Sequence, residues 1–172
     1  MFKVAGALLV IVAAGAFGFL VARNYARRPR ELRALQSALS LLETEIVYAA
    51  TPLAEALDQV ARRADPCVAG LFARVHATLA SRVGTTAQEA WATALDGYYP
   101  ESCLKTEDLA VLQSIGQMLG ASDRQDQAKH LRLAGERLRA QIVKAEEEAH
   151  HNVRLWRYLG LFAGLATVLI LV

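Results

Sequence analysis

The sequence predicts an all-α protein, a cytoplasmic six-helix bundle flanked by N- and C-terminal transmembrane helices. Three observations carry this expectation. Of 172 residues, 32 are Ala and 26 are Leu, against 27 that are β-branched, a balance that favours helix over extended sheet. The charge is unevenly placed: residues 4–22 and 158–172 contain none, whereas residues 23–157 hold 18 of the 19 basic and all 17 acidic side chains. Between those runs, apolar residues recur three and four apart and are separated by prolines, glycines and capping residues, as helices joined by short turns require.

The first charge-free run, 4–22, is 19 residues long. At 1.5 Å per residue it extends about 28 Å, close to the thickness of a hydrocarbon core of about 30 Å. A cleaved signal peptide is the rival reading, since Lys3 precedes the run. Against it, Val21-Ala22-Arg23 is a poor cleavage site, and Arg23, Arg27, Arg28, Arg30 and Arg33 follow at once and resist translocation. The basic cluster therefore sets residues 23–157 on the cytoplasmic side.

Pro29 is expected to open the first bundle helix. Leu32, Leu35, Leu39, Leu42, Ile46 and Ala49 then form one apolar stripe, read as core. Thr51-Pro52 supplies a cap and first position for a second helix, and Asp65-Pro66 repeats the device for a third that runs to about Arg82. Gly84 breaks the chain, and Thr86 with Glu89 makes a capping box for a fourth helix ending at Gly97. Tyr98-Tyr99-Pro100 reads as a turn. A fifth helix starts at Thr106 and stops at Gly120, and Ser122 with Gln125 caps the sixth. In that last helix Leu131, Ala134, Leu138, Ile142, Ala145, Ala149 and Val153 keep near one face, which is expected to run unbroken into the second span, 158–172. This span is short, about 22 Å. Leu155 and Trp156 extend it, Arg157 snorkels, and Trp156 and Tyr158 sit at headgroup level. Small residues (Ala14, Gly18 and Ala22; Gly160 and Gly164) stand four apart within the two spans, either as close-packing faces or as ordinary membrane-helix composition.

The bundle offers little chemistry. A net charge of +2 on 36 charged side chains gives no reason to expect nucleic acid. No glycine-rich phosphate loop and no nucleophile motif is present. Cys67 and Cys103, the only two cysteines, read as buried or inert thiols in a reducing compartment. Glu147-x-x-His150 and Glu148-x-x-His151 have the spacing of di-iron bundle ligands, but such a site needs a second Glu-x-x-His helix and two further inward glutamates, and no second copy is present. A solvated juxtamembrane face is the plainer reading. His76 and His130 are single helical histidines, and Glu43, Glu45 and Glu136 are bases that spacing alone does not nominate. The expectation is no catalytic residue, no cofactor-binding residue, no metal ligand and no enzyme.

One helix makes the chain recognisable. The run from Arg27-Arg28-Pro29-Arg30-Glu31-Leu32 through Leu39, Leu42-Glu43-Thr44-Glu45-Ile46 and Thr51-Pro52-Leu53 resembles the stage III sporulation protein AB family, as does Leu119-Gly120-Ala121-Ser122-Asp123-Arg124-Gln125-Asp126-Gln127 before the long last helix. The resemblance covers essentially the whole chain. It implies a component of the mother-cell–forespore channel, or feeding apparatus, of endospore-forming bacteria. Such a component lies in the mother-cell membrane that faces the forespore. The cytoplasmic domain of that family is similar to one domain of the F-type platform protein of type II secretion and type IV pilus systems, which couples a cytoplasmic ATPase to the membrane complex. The partners implied are the ATPase, stage III sporulation protein AA, and other stage III channel proteins, with no small-molecule substrate. The absence of a nucleotide motif agrees with ATP being handled by a partner. A partner surface would lie near the Arg27–Arg33 run or the Arg124–Arg139 face, but membrane-headgroup attraction and ordinary solvation are the favoured reading of the individual residues there, and no partner-contact residue is named. The alternatives are a membrane-tethered helical metalloenzyme using a Glu-x-x-His pair, and a simple scaffold acting through its spans alone.

Overall fold

A computed structural model describes residues 26–81, 84–120 and 123–171, with residues 124 and 152–171 described as backbone alone. These residues form six α-helices and no strand. The helices are α1 (26–47), α2 (Leu53–Arg63), α3 (Pro66–Ser81), α4 (Ala87–Tyr98), α5 (Thr106–Gly116) and α6 (Arg124–Leu171), with a 3-10 turn at Tyr99–Glu101. The all-α expectation is met. Among the described residues no helix is long and apolar enough to cross a membrane. The run 4–22 lies outside the described residues; of 158–172 the backbone is helical as far as Leu171. The flanking transmembrane helices are therefore not shown.

The described chain divides into two compact units, one of them Arg30–Ile142 and the other the segments on either side of it. Within Arg30–Ile142 the α1 stripe is buried as expected: Leu32, Leu35, Leu39, Leu42 and Ile46. Helices α2 to α5 pack in chain order, α2 on α3, α3 on α4 and α4 on α5. They contribute Leu57 and Val60, Leu71, Phe72 and Val75, Trp91 and Leu95, and Leu112 and Ile115 to the core. α6 adds Ala128, Leu131, Ala134, Leu138 and Ile142. It runs antiparallel to α1, since the Gln36 amide donates to the Gly135 carbonyl (3.3 Å) while Arg132 meets Glu43 (2.7 Å). In the second unit, Ala145 is buried and Ala149 half-buried, whereas the Val153 side chain is outside the description.

Several boundaries differ from the sequence expectation, each for a local reason. Pro29 does not open α1, because residues 26–28 are already helical; its fixed φ suits a helix and it forgoes one backbone bond. α1 ends at residue 47, so Ala49 is exposed, and Ala50 adopts a left-handed φ of 53°. Thr51 does not cap α2. Its hydroxyl donates to the Glu45 carboxyl group (3.3 Å) and its N–H to the Glu45 carbonyl (3.1 Å), leaving Pro52 as a cap without a side-chain bond. The Thr86–Glu89 capping box forms in full, and Asp65 Oδ1 accepts from the Cys67 N–H (3.0 Å) at the start of α3. α4 runs one residue past Gly97. α5 ends at Gly116 rather than Gly120, which instead takes a φ of 78° in the following turn. Ser122 is outside the described residues; Asp123 Oδ1 accepts from the Asp126 N–H (2.8 Å), so an Asp serves as the α6 cap.

Trp91 holds the centre. Its indole N–H donates to the Leu112 carbonyl (2.8 Å), and its ring meets Phe72 edge-on with centroids 5.9 Å apart. The ring lies against Gly116, where an added Cβ would stand 2.6 Å from Trp91 Cδ1. Gly116→Ala should therefore destabilise the purified chain by about 1–3 kcal/mol in urea unfolding, through overpacking. Gly135→Ala, which meets nothing within 4 Å, should stabilise it by about 0.5–1 kcal/mol from helix propensity. Equal effects at the two sites would count against this account of the core.

Candidate interaction surface

Three carboxyl groups are buried, Glu31, Glu45 and Asp108. Asp108 accepts from the Lys105 N–H (2.9 Å) at the start of its own helix, whereas the other two organise what surrounds them. Glu31, buried on α1, accepts from the Tyr98 hydroxyl at one oxygen and from the Cys103 N–H (2.8 Å) at the other. The Tyr98 oxygen also stands 3.3 Å from the Cys67 carbonyl. This places the start of α3, the end of α4 and the α4–α5 connection around one point of α1. Burial, then the bond to Glu31 and its nearby charge, pushes the Tyr98 phenol well above the ordinary tyrosine value near 10. Glu45 accepts from Thr51 and from Arg63 (3.0 Å), tying the end of α2 to the end of α1.

Between these two points α1 and the α2–α3 turn bound a groove of about 580 Å³. Ala34, Ser37, Ala38 and Leu41 of α1 form its floor, and Arg30 and Arg33 one rim. Arg63, Ala64 and Asp65 form the other. These positions are neighbours because residues three, four and seven apart share a helix face. Arg30 reaches across to Asp65 (3.4 Å) and remains 73% exposed; Arg63, holding Glu45, is 57% exposed. Asp65 is held below the ordinary carboxyl value by the Cys67 N–H first, then by the Cys67 thiol and Arg30. Burial, followed by the bond and charge of Asp65, raises the Cys67 thiol to about 11.

The Arg27–Arg33 run does not form one face. Arg27, Arg30 and Arg33 are exposed, whereas Arg28 is buried and pairs with Glu148 (3.0 Å), both in the unit outside Arg30–Ile142. On α6, Arg132 pairs with Glu43, and Arg137 and Arg139 are exposed. The Arg124 side chain is outside the description. The end of α1 exposes Val47 and Tyr48, the latter by 81%.

The remaining candidates resolve as follows. Glu43 and Glu45 are each occupied by an arginine, and Glu136 is exposed on α6. His76 Nδ1 lies 2.8 Å from the Ala54 carbonyl, and His130 is half-buried. Glu146, Glu147, His150 and His151 line an open depression, while Glu148 is held by Arg28. Among the described residues no group of three or more His, Cys, Asp or Glu is placed to hold a metal ion. Both cysteines are free thiols; Cys67 is exposed rather than buried, and Cys103 is half-buried.

The comparisons with known proteins agree with one another. The model of the family described as stage III sporulation protein AB matches residues 3–172. The chain belongs to the stage III sporulation protein AB family. A curated relative, stage III sporulation protein AB of Bacillus subtilis (strain 168), is 36% identical over 171 residues, 99% of each chain. A solved structure of a stage III sporulation protein AB superposes with a TM-score of 0.67 at 35% identity, covering 72% of this chain and 97% of that one. The sequence resemblance is thus confirmed, and with it a stage III sporulation protein. Sequence reading of this stage III sporulation protein AB family member missed Ser37, Leu41, Arg63 and Asp65 as neighbours. The available signal was the row Arg30, Arg33, Ala34, Ser37, Ala38 and Leu41 at helical spacing, opposite a charged interhelical turn. It also missed Glu31, whose signal is a carboxyl group four residues before Leu35 in an otherwise apolar stripe.

Two measurements check these environments. Tyr98→Phe should cost about 1–3 kcal/mol of folding stability, because it strips a hydrogen bond from a buried carboxyl group. Tyr98 ionises in the unfolded chain first, so wild-type stability should fall as pH rises above about 10. In Tyr98→Phe that part of the alkaline loss should disappear; an unchanged alkaline slope would refute the assignment. In a Cys103→Ser background, alkylation of Cys67 by iodoacetamide should be slow at neutral pH and rise with a midpoint near 11. A midpoint at or below about 9 would contradict the environment described.

Proposed function

We propose that this chain is a non-enzymatic platform of the mother-cell–forespore channel, required for endospore formation. In this reading residues 23–157 form a cytoplasmic domain held in the mother-cell membrane by spans at 4–22 and 158–172. The domain couples a cytoplasmic ATPase, stage III sporulation protein AA, to the other channel proteins. One observation carries the reading. A family match running from residue 3 to 172 coincides with a chain in which every acidic and all but one basic residue fall between two charge-free runs. The arginines that follow the first run and precede the second support a cytoplasmic middle. Support also comes from α6, a single helix from Arg124 to Leu171 that carries bundle residues and the second apolar run together.

Reconstitution of the full chain tests this. In liposomes of phosphatidylethanolamine and phosphatidylglycerol, the chain should resist alkaline carbonate extraction and should carry the purified ATPase to the top of a flotation gradient. Release by carbonate would refute the spans. Flotation of the chain without the ATPase would refute the coupling.

A further inference from the structure

We propose that the Arg28–Glu148 ion pair is a latch that holds α1 against α6 where both helices approach the bilayer, so that the two proposed spans enter it side by side. The proposal rests on the platform reading for the spans alone. Packing is the first argument. In the unit to which both residues belong, side chains are described at 26–29 and 143–151. The buried ones among them are Arg28, Pro29 and Ala145, and Val143 is 50% exposed. Proline and alanine bury little apolar area, and apolar contact is non-directional, so it fixes no register. Within Arg30–Ile142, by contrast, the same two helices bury Leu32, Leu35, Leu39, Leu131 and Leu138.

Charge is the second argument. The Arg28 side chain is 7% exposed and its Nη1 donates to Glu148 Oε2 at 3.0 Å, while Glu148 is 40% exposed. A guanidinium taken out of water is costly without a carboxylate, and removing one partner leaves the other uncompensated. Such a pair discriminates between registers, because sliding α6 by one turn, about 5.4 Å, carries the carboxylate out of reach. Position is the third argument. Six residues separate Arg28 from residue 22, a reach of at most about 21 Å. Ten separate Glu148 from residue 158, about 15 Å along the single helix α6. Arg27 is exposed, as an interfacial arginine should be; Arg28 is turned inward instead.

The test uses the full chain in liposomes of phosphatidylethanolamine and phosphatidylglycerol, with Cys67→Ser and Cys103→Ser removing the native thiols. Spin labels on Arg27→Cys and His151→Cys, both exposed beside the latch, report the α1–α6 distance by double electron–electron resonance. One narrow maximum is expected, unchanged in about 1 M salt because a buried pair is weakly screened. Arg28→Glu should widen the distribution about twofold, and adding Glu148→Arg should narrow it again. Labels on Tyr48→Cys and Lys129→Cys, exposed on the same helices within Arg30–Ile142, should keep their distance throughout and so separate unlatching from misfolding. If they do not, Glu148→Gln, which keeps the size of the side chain, takes the place of Arg28→Glu, with a smaller widening expected. Three results overturn the latch and leave the platform reading standing in a chain that resists carbonate: a broad wild-type distribution at low or high salt, a narrow one indifferent to both substitutions, or a widening that the exchanged pair does not reverse. Release by carbonate removes both.

Discussion

The arrangement of the bundle depends on the Glu31 carboxyl group. It sits on the buried side of α1, where a Leu would continue the stripe, and receives the Tyr98 hydroxyl and the Cys103 N–H. Helices α2 to α5 pack each on the next, which fixes neighbours but not the position of the group against α1. The bonds at Glu31 bind the end of α4 and the connection after it to the first helix. A buried carboxyl group in this setting is costly unless both oxygens are satisfied, so the geometry around it is narrowly defined. Glu45 repeats the principle at the other end of α1, where Thr51 and Arg63 meet it.

These two anchors also explain the groove. Glu31 and Glu45 face inward, so the residues between them on the adjoining face of α1 turn toward the α2–α3 turn. Arg63 is held there by Glu45, and Asp65 by the start of α3. The concave, arginine-rimmed strip is thus a consequence of how the core is tied. The same logic withdraws Arg28 from the basic run: it pairs with Glu148 and leaves the exposed arginines as separate positions.

Much of the fold was legible from residue order. The leucine stripe of α1, the Asp65-Pro66 start, the Thr86–Glu89 box and the break at Gly84 all appear where local chemistry puts them. Where the reading slipped, a tertiary partner competed with a local one. Thr51 would cap α2, but Glu45 takes its hydroxyl. Gly120 would stop α5, but the helix ends at Gly116, where the Trp91 ring lies against the backbone. Cys67, read as buried or inert, is exposed rather than buried, while its thiol, raised to about 11 by partial desolvation and Asp65, agrees with the inert alternative. The candidate surface was only half visible, because Arg30 and Arg33 are near one another in sequence and Arg63 and Asp65 are not.

Residue order by itself determined the helical class, the six helices of the described residues, the two charge-free runs, and membership of the stage III sporulation protein AB family. These follow from periodicity, caps and composition, which act over a few residues at a time. The tertiary structure decided which carboxyl groups lie inside, which arginines are left on the surface, and where a groove opens. Those outcomes depend on pairs such as Glu31 with Tyr98 and Glu45 with Arg63, separated by 67 and 18 residues along the chain. A polar group's partner across such a distance is set by how apolar faces pack, and no local pattern encodes it.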